Sequence, residues 1–205
     1  MKQLVFVLAV FATLSNASAQ NGKTANLTAM KNLYLDVHYI PGGKVKFKDV
    51  AVAHQKDLAV QGTYDVNFLK YWVDEKKGIV YCLSSANDSA SIRETHRHAH
   101  GLLPAEILAV TDGIAADPKN GKSFFLDIHN LGAGKVTAKD VAAAHEKDLA
   151  VQKKYGVHFI NYWVDEKNGV VVCLSQAANG DKIVATHREA HGLLPDEVLP
   201  VKQGE

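Results

Sequence analysis

Cysteine is nearly absent: Cys82 and Cys173 are the only two in 205 residues. That excludes a disulfide framework, and no C-x-x-C pair exists to exchange thiols or hold a structural metal. Two cysteines leave one disulfide, two buried thiols, or a thiolate ligand, since soft sulfur suits nickel, zinc or copper. Buried thiols are the simplest of the three. An excess of charge is missing as well: 23 Lys and Arg face 22 Asp and Glu, a formal net charge of +1. No electrostatic case remains for a nucleic-acid partner or an anionic membrane. The chain has no G-x-S-x-G elbow and no phosphate-binding loop. The Gly-rich turns at 41–45 and 131–133 are too short to cradle a phosphate. No run after residue 20 is long and apolar enough to span a membrane.

The first apolar run has another reading. MKQLVFVLAVFATLSNASAQ carries Lys2, an apolar stretch Leu4–Leu14 and the small residues Ala17-Ser18-Ala19. It reads as a secretory signal over residues 1–19, which places the protein in the periplasm or outside the cell.

Histidine is the residue in excess, with ten. Their arrangement becomes clear once the chain is seen to be written twice. LDVH (35–38) returns as LDIH (126–129), AHQKDLAVQ (53–61) as AHEKDLAVQ (144–152), YWVDEKKG (71–78) as YWVDEKNG (162–169), and AHGLLP (99–104) as AHGLLP (190–195). The offset is 91 residues throughout, and 46 of the 77 positions in 34–110 match 125–201, so this is a tandem duplication. The Gly-, Asp- and Pro-rich stretch 111–123 separates the copies. We read repeats at 30–112 and 122–203, joined by a linker at 113–121.

One repeat predicts a strand at 34–40, a helix at 47–64, strands at 66–73 and 79–84 around a tight turn, a helix at 88–100 ended by Gly101, and a strand at 106–110. The order βαββαβ is the ferredoxin-like split βαβ motif, an α+β fold. Such a sheet carries its helices on one face. Two repeats can cover each other's open faces, which predicts an intrachain pseudo-dimeric α+β barrel.

The duplication sorts the histidines. His38/His129, His54/His145, His96/His187 and His100/His191 pair across the offset; His98 faces Glu189, and His158 faces Asn67. His96 and His100 are four apart, on one helical face, a spacing that chelates one ion in helical H-x₃-H sites. A helix that merely packs two histidines gives the same spacing once. Repetition with both flanks points to metal chemistry. On the first helix His54, Asp57 and Gln61 share a stripe and recur as His145, Asp148 and Gln152, fit for a ligand with its supporting carboxylate. On the first strand Asp36 and His38 share a face, repeated as Asp127 and His129. They suit a second, polar cavity between the repeats. Tyr71 and Trp72 read as core or cavity wall.

The pattern AH-x-KDLAVQ…YWVDE…YCL…THR-x-AHGLLP resembles a bacterial family of small ferredoxin-like proteins, long known as a domain of unknown function, one branch of which is described as nickel-binding. The likeness runs from about 33 to 110 and again from 124 to 201. It implies a ferredoxin-like fold, pairing of two such units and a Ni²⁺ site, and implies no established enzyme activity.

The expected function is therefore extracytoplasmic binding of a borderline divalent ion, Ni²⁺ first and Zn²⁺ or Cu²⁺ next. The expected ligands are His54, His96 and His100 with Asp57, and His145, His187 and His191 with Asp148. The expected molecule is a monomer with an internal pseudo-dimer. Two alternatives stay open. One is a small barrel enzyme using Asp36, His38, Tyr71 and Cys82 in a cavity between the repeats. The other is an interaction module with structural histidines.

Overall fold

Each half of the chain folds in the same order of elements. The first half forms β1 (Asn32–Tyr39), α1 (Phe47–Val60), β2 (Asn67–Asp74), β3 (Ile79–Ala86), α2 (Ser89–Ala99) and β4 (Glu106–Asp112). The second forms β5 (Ser123–Asn130), α3 (Ala138–Tyr155), β6 (His158–Asp165), β7 (Val170–Ala177), α4 (Gly180–Ala190) and β8 (Glu197–Gly204). These elements come from a computed structural model that describes residues 31–205. The expected signal segment lies outside the described residues.

Local chemistry sets the helix ends. Asp88 caps α2 by accepting from the Ser91 N–H at 2.8 Å, and Asn179 caps α4 by accepting from the Lys182 N–H at 3.3 Å. Both helices stop where Gly101 and Gly192 take φ of +79° and +80°, a left-handed conformation that glycine adopts without strain. The helix expected at 47–64 is shorter. It ends at Val60, and Gln61–Tyr64 tightens into a 3₁₀ turn, whereas α3 continues to Tyr155. The sequences differ there: Gly62-Thr63 stands where the second half has Lys153-Lys154. A glycine weakens a helix interior by about 1 kcal/mol relative to alanine.

The strands run β4-β1-β3-β2 in the first half and β8-β5-β7-β6 in the second. Each half lends its last strand to the other. β4 pairs with β6 through Thr111↔Val164 and Asp112↔Trp163, and β8 pairs with β2 from Tyr71↔Gly204 to Val73↔Lys202. The result is a closed, antiparallel, eight-stranded barrel with four helices. Closure leaves no free sheet edge. Among the described residues no helix is long and apolar enough to cross a membrane.

The barrel interior is a packed apolar core. Leu35 and Val37 meet Leu126 and Ile128 there, around Trp72 and Trp163, whose ring centroids lie 5.1 Å apart. This corrects one expectation. Among the described residues, apolar side chains fill the space between the repeats, and Asp36, His38, Asp127 and His129 do not face it. Alternate residues of a strand point to opposite faces. An eight-stranded barrel has an interior just wide enough for side chains to fill. The apolar parity of β1 and β5 takes that interior, so the Asp and His parity is turned to the outer face, under the helices.

Candidate metal centre

The site grows from two helices lying on the outer face of β1. Asp57 sits in the third turn of α1, and His96 near the C-terminal end of α2, with His100 just past it. Across the helix pair His96 Nδ1 lies 3.0 Å from Asp57 Oδ1 and 3.2 Å from His100 Nε2, and His100 Nε2 lies 3.2 Å from Asp57 Oδ2. The second half repeats the arrangement: His187 Nδ1 lies 2.9 Å from Asp148 Oδ1, His191 Nε2 3.2 Å from both Asp148 oxygens, and the two histidine nitrogens 3.1 Å apart. Donor atoms held at 2.0–2.2 Å from one ion stand about 3.0–3.5 Å apart, for octahedral and tetrahedral arrangements. The triangle already has that size.

Asp36 and His38 join this group from below. His38 Nε2 is 3.0 Å and His96 Nε2 3.4 Å from Asp36 Oδ1. In the second half His129 Nε2 and His187 Nε2 are 3.2 Å and 3.1 Å from Asp127 Oδ1. His96 and His187 therefore turn one ring nitrogen to a helix carboxylate and the other to a strand carboxylate. A histidine ligand that donates its far N–H to a carboxylate is the usual support of a metal site. His100 is oriented differently: the Leu102 N–H donates to its Nδ1 at 3.1 Å, so Nε2 points at the triangle. Leu193 and His191 repeat the contact at 3.1 Å.

Charge follows from these contacts. Asp36 is fully buried; burial works against its ionisation, but His38 and His96 outweigh it and hold the carboxyl below its ordinary range. Asp57 is held down in the same way by His100 and His96, and Asp127 and Asp148 follow suit. Burial opposes charge on His96 too, yet Asp36 and Asp57 raise it to about 9, and Asp127 and Asp148 raise His187 to about 10. Each site thus buries two ionised carboxylates around one inner histidine whose protonated form they favour. Asp36 Oδ2 and Asp127 Oδ2 are buried without a hydrogen-bond partner. A divalent cation suits both the charge and the donor set.

His54 and His145 stand apart from the triangle. His54 packs tilted against Tyr71, and His145 against Tyr162, with ring centroids 4.8 Å apart in each pair. Burial keeps both rings below the ordinary histidine pKa, hence neutral. Cys82 and Cys173 are free and buried; burial, then the nearby aspartates, push both thiols well up. A cross-repeat disulfide is not formed. Asp127, His129 and Cys173 still bring ligand atoms within 4.8 Å of one another. His98 meets the Tyr64 hydroxyl at 3.4 Å, and His158 the Asp117 carbonyl at 2.8 Å, both at the surface.

Sequence reasoning missed the Leu102 amide and the cleft beside the triangle, about 90 Å³ in the first half and 80 Å³ in the second. The signal was present: Val45, Val50, Ala53 and Leu102 recur as Val136, Val141, Ala144 and Leu193.

The model of a family described as nickel responsive protein SCO4226-like matches residues 34–110 and again 125–201. The crystal structure of SCO4226 from Streptomyces coelicolor A3(2) is 33% identical over 40% of this chain and 99% of its own, with a TM-score of 0.38. A chlorite dismutase from Candidatus Nitrospira defluvii, in complex with imidazole, aligns over 86% of this chain and 92% of its own at 6% identity and TM-score 0.47. Neither likeness bears on activity. No curated protein matches the sequence.

Proposed function

The chain belongs to the SCO4226-like family of nickel-responsive proteins, and from that premise we propose that it binds one divalent ion, nickel first, in each repeat. Asp57, His96 and His100 hold the first ion, and Asp148, His187 and His191 the second. Asp36 and Asp127 orient the inner histidines; His38 and His129 hold those carboxylates in turn. The observation that carries this reading is the triangle of two imidazoles and one carboxylate, found twice with contacts of 2.9–3.2 Å and closed through both Asp57 oxygens in the first half. Imidazole and carboxylate suit nickel, zinc, copper and iron alike. The family description supports nickel among them.

The fuller reading has each repeat as a ferredoxin-like half, 30–112 and 122–203, of a pseudo-dimeric barrel acting outside the cytoplasm. The signal-like pattern of residues 1–19 supports the location. Resident ions would supply Lewis acidity and a place for further ligands. The chain supplies donors, their orientation and a buried negative field.

Calorimetry tests it. The purified chain takes up two Ni²⁺, His96→Ala with His187→Ala takes up none tightly, and His54→Phe with His145→Phe retains both. Tight uptake that survives the first double variant, or is lost only in the second, contradicts the assignment.

A further inference from the structure

A site built only to hold an ion needs the triangle and its supporting carboxylates. Both repeats hold something more, an open cleft beside the triangle. In the first its walls are Ile40, Val45, Val50, Ala53, Val80 and Leu102. The second repeats them as Leu131, Val136, Val141, Ala144, Val171 and Leu193. Each cleft has about 80–90 Å³ of free space, and its apolar walls around a few converging polar groups are what small-molecule sites have. The neutral His54 and His145 form part of each wall.

The charges around the cleft choose among guests. No lysine or arginine lines either one, whereas Asp49 and Asp57 line the first and Asp140 and Asp148 the second. An anion therefore meets carboxylates and no cationic side chain. With a divalent ion in place, the buried Asp36 and Asp57 already balance it, so an uncharged guest adds no buried charge. The rim leucines, Leu102 at 57% and Leu193 at 50% exposure, have apolar surface to bury against a guest's body. Ala53 and Ala144 keep each helix wall thin where a larger residue would fill the space.

Resting on the metal reading above, we propose that each cleft binds a small uncharged nitrogen donor with an apolar body. An azole, a pyridine or an aliphatic amine in its base form fits, with its lone pair directed at the ion held by the triad. Nitrogen is the donor because borderline ions such as nickel favour it.

The test uses the Ni²⁺-loaded chain titrated with 4-methylpyridine and, as the anionic counterpart, benzoate, followed by the nickel absorption spectrum and by nickel-induced NMR line broadening of the probe. The proposal expects 4-methylpyridine to bind at least about tenfold more tightly than it binds Ni²⁺ in water, and tenfold more tightly than benzoate. Ala53→Leu with Ala144→Leu should retain Ni²⁺ uptake and lose the probe by about tenfold or more. If that variant loses Ni²⁺ itself, Leu102→Ala with Leu193→Ala reads the same walls from exposed positions, with probe binding weakened by about threefold or more. Equal binding of benzoate, affinity no better than aqueous Ni²⁺, or indifference to the wall variants overturns the cleft proposal alone. A flat first titration with Ni²⁺ overturns the metal reading, and the cleft proposal with it.

Discussion

His187 stands between two carboxylates: its Nε2 lies 3.1 Å from Asp127 Oδ1 and its Nδ1 2.9 Å from Asp148 Oδ1. The strand aspartate fixes the ring so that the other nitrogen faces the triangle. Asp36→Asn with Asp127→Asn leaves all three proposed ligands in place and should lower Ni²⁺ affinity by about 10–100-fold. Calorimetry on the double variant checks this; unchanged affinity removes the orienting role.

The apo protein's stability should depend on pH from both sides. His96 and His187 are raised to about 9 and about 10. Their contribution is full below the unfolded histidine value near 6.5 and shrinks above it. It is gone once pH passes about 9 in the first repeat and about 10 in the second. Asp36, Asp57, Asp127 and Asp148 are lowered, so their contribution is present above the ordinary carboxylate value and lost as pH falls through the folded one. Thermal unfolding of the metal-free chain should show Tm falling toward pH 10 and again toward pH 3. Ni²⁺ uptake displaces the Nδ1 proton of each inner histidine, so affinity should rise with pH until that proton is gone near 9 to 10. The same affinity at pH 6 and pH 8 contradicts this.

Loading should be felt in the loop after α2. The Leu102 N–H donates to His100 Nδ1 at 3.1 Å, which leaves the ring proton on Nε2. With an ion at Nε2 that proton belongs on Nδ1, where it opposes the Leu102 N–H. The bond breaks, and the amides of Leu102 and Leu193 should exchange faster in the Ni²⁺-loaded chain than in the free one. Hydrogen exchange followed by NMR reads this directly. Slower exchange at both amides shows that the loop contact survives loading.

The repeats should differ at their tryptophans. Trp72 Nε1–H donates to Gln203 Oε1 at 2.9 Å, across the β2–β8 seam. Trp163 Nε1 is buried without a partner, because Asp112, in the place equivalent to Gln203, accepts from Asn161 instead at 2.8 Å. Trp72→Phe gives up a hydrogen bond and should cost about 1 kcal/mol more than Trp163→Phe, which removes an unsatisfied donor. Chemical denaturation of the two variants gives the difference.

Much of the fold was legible because the duplication repeats every signal. The capping Asp88, the helix-ending Gly101 and the Asp74–Gly78 turn each have a counterpart, and the strand runs are rich in β-branched and aromatic residues. Parity of β1 was the exception. Leu35 and Val37 against Asp36 and His38 show two faces, but the local sequence does not say which face the other repeat will cover. That depends on the barrel's closure, which joins β4 to β6 and β2 to β8, strands far apart in sequence. At the site, the i, i+4 spacing of His96 and His100 was readable. Their opposite number was ambiguous between His54 and Asp57, three residues apart on one stripe. The structure brings the carboxylate, not His54, to within 3.2 Å of both rings. The 4.8 Å tilted contact of His54 with Tyr71 arises from β2 lying beneath α1, a tertiary contact with no local trace.

The most direct measurement is a crystal of the Ni²⁺-loaded protein measured at the nickel absorption edge. The account predicts two anomalous peaks per chain, one bounded by Asp57, His96 and His100 and the other by Asp148, His187 and His191. A single shared peak, or peaks only at the surface histidines His98 and His158, would contradict it.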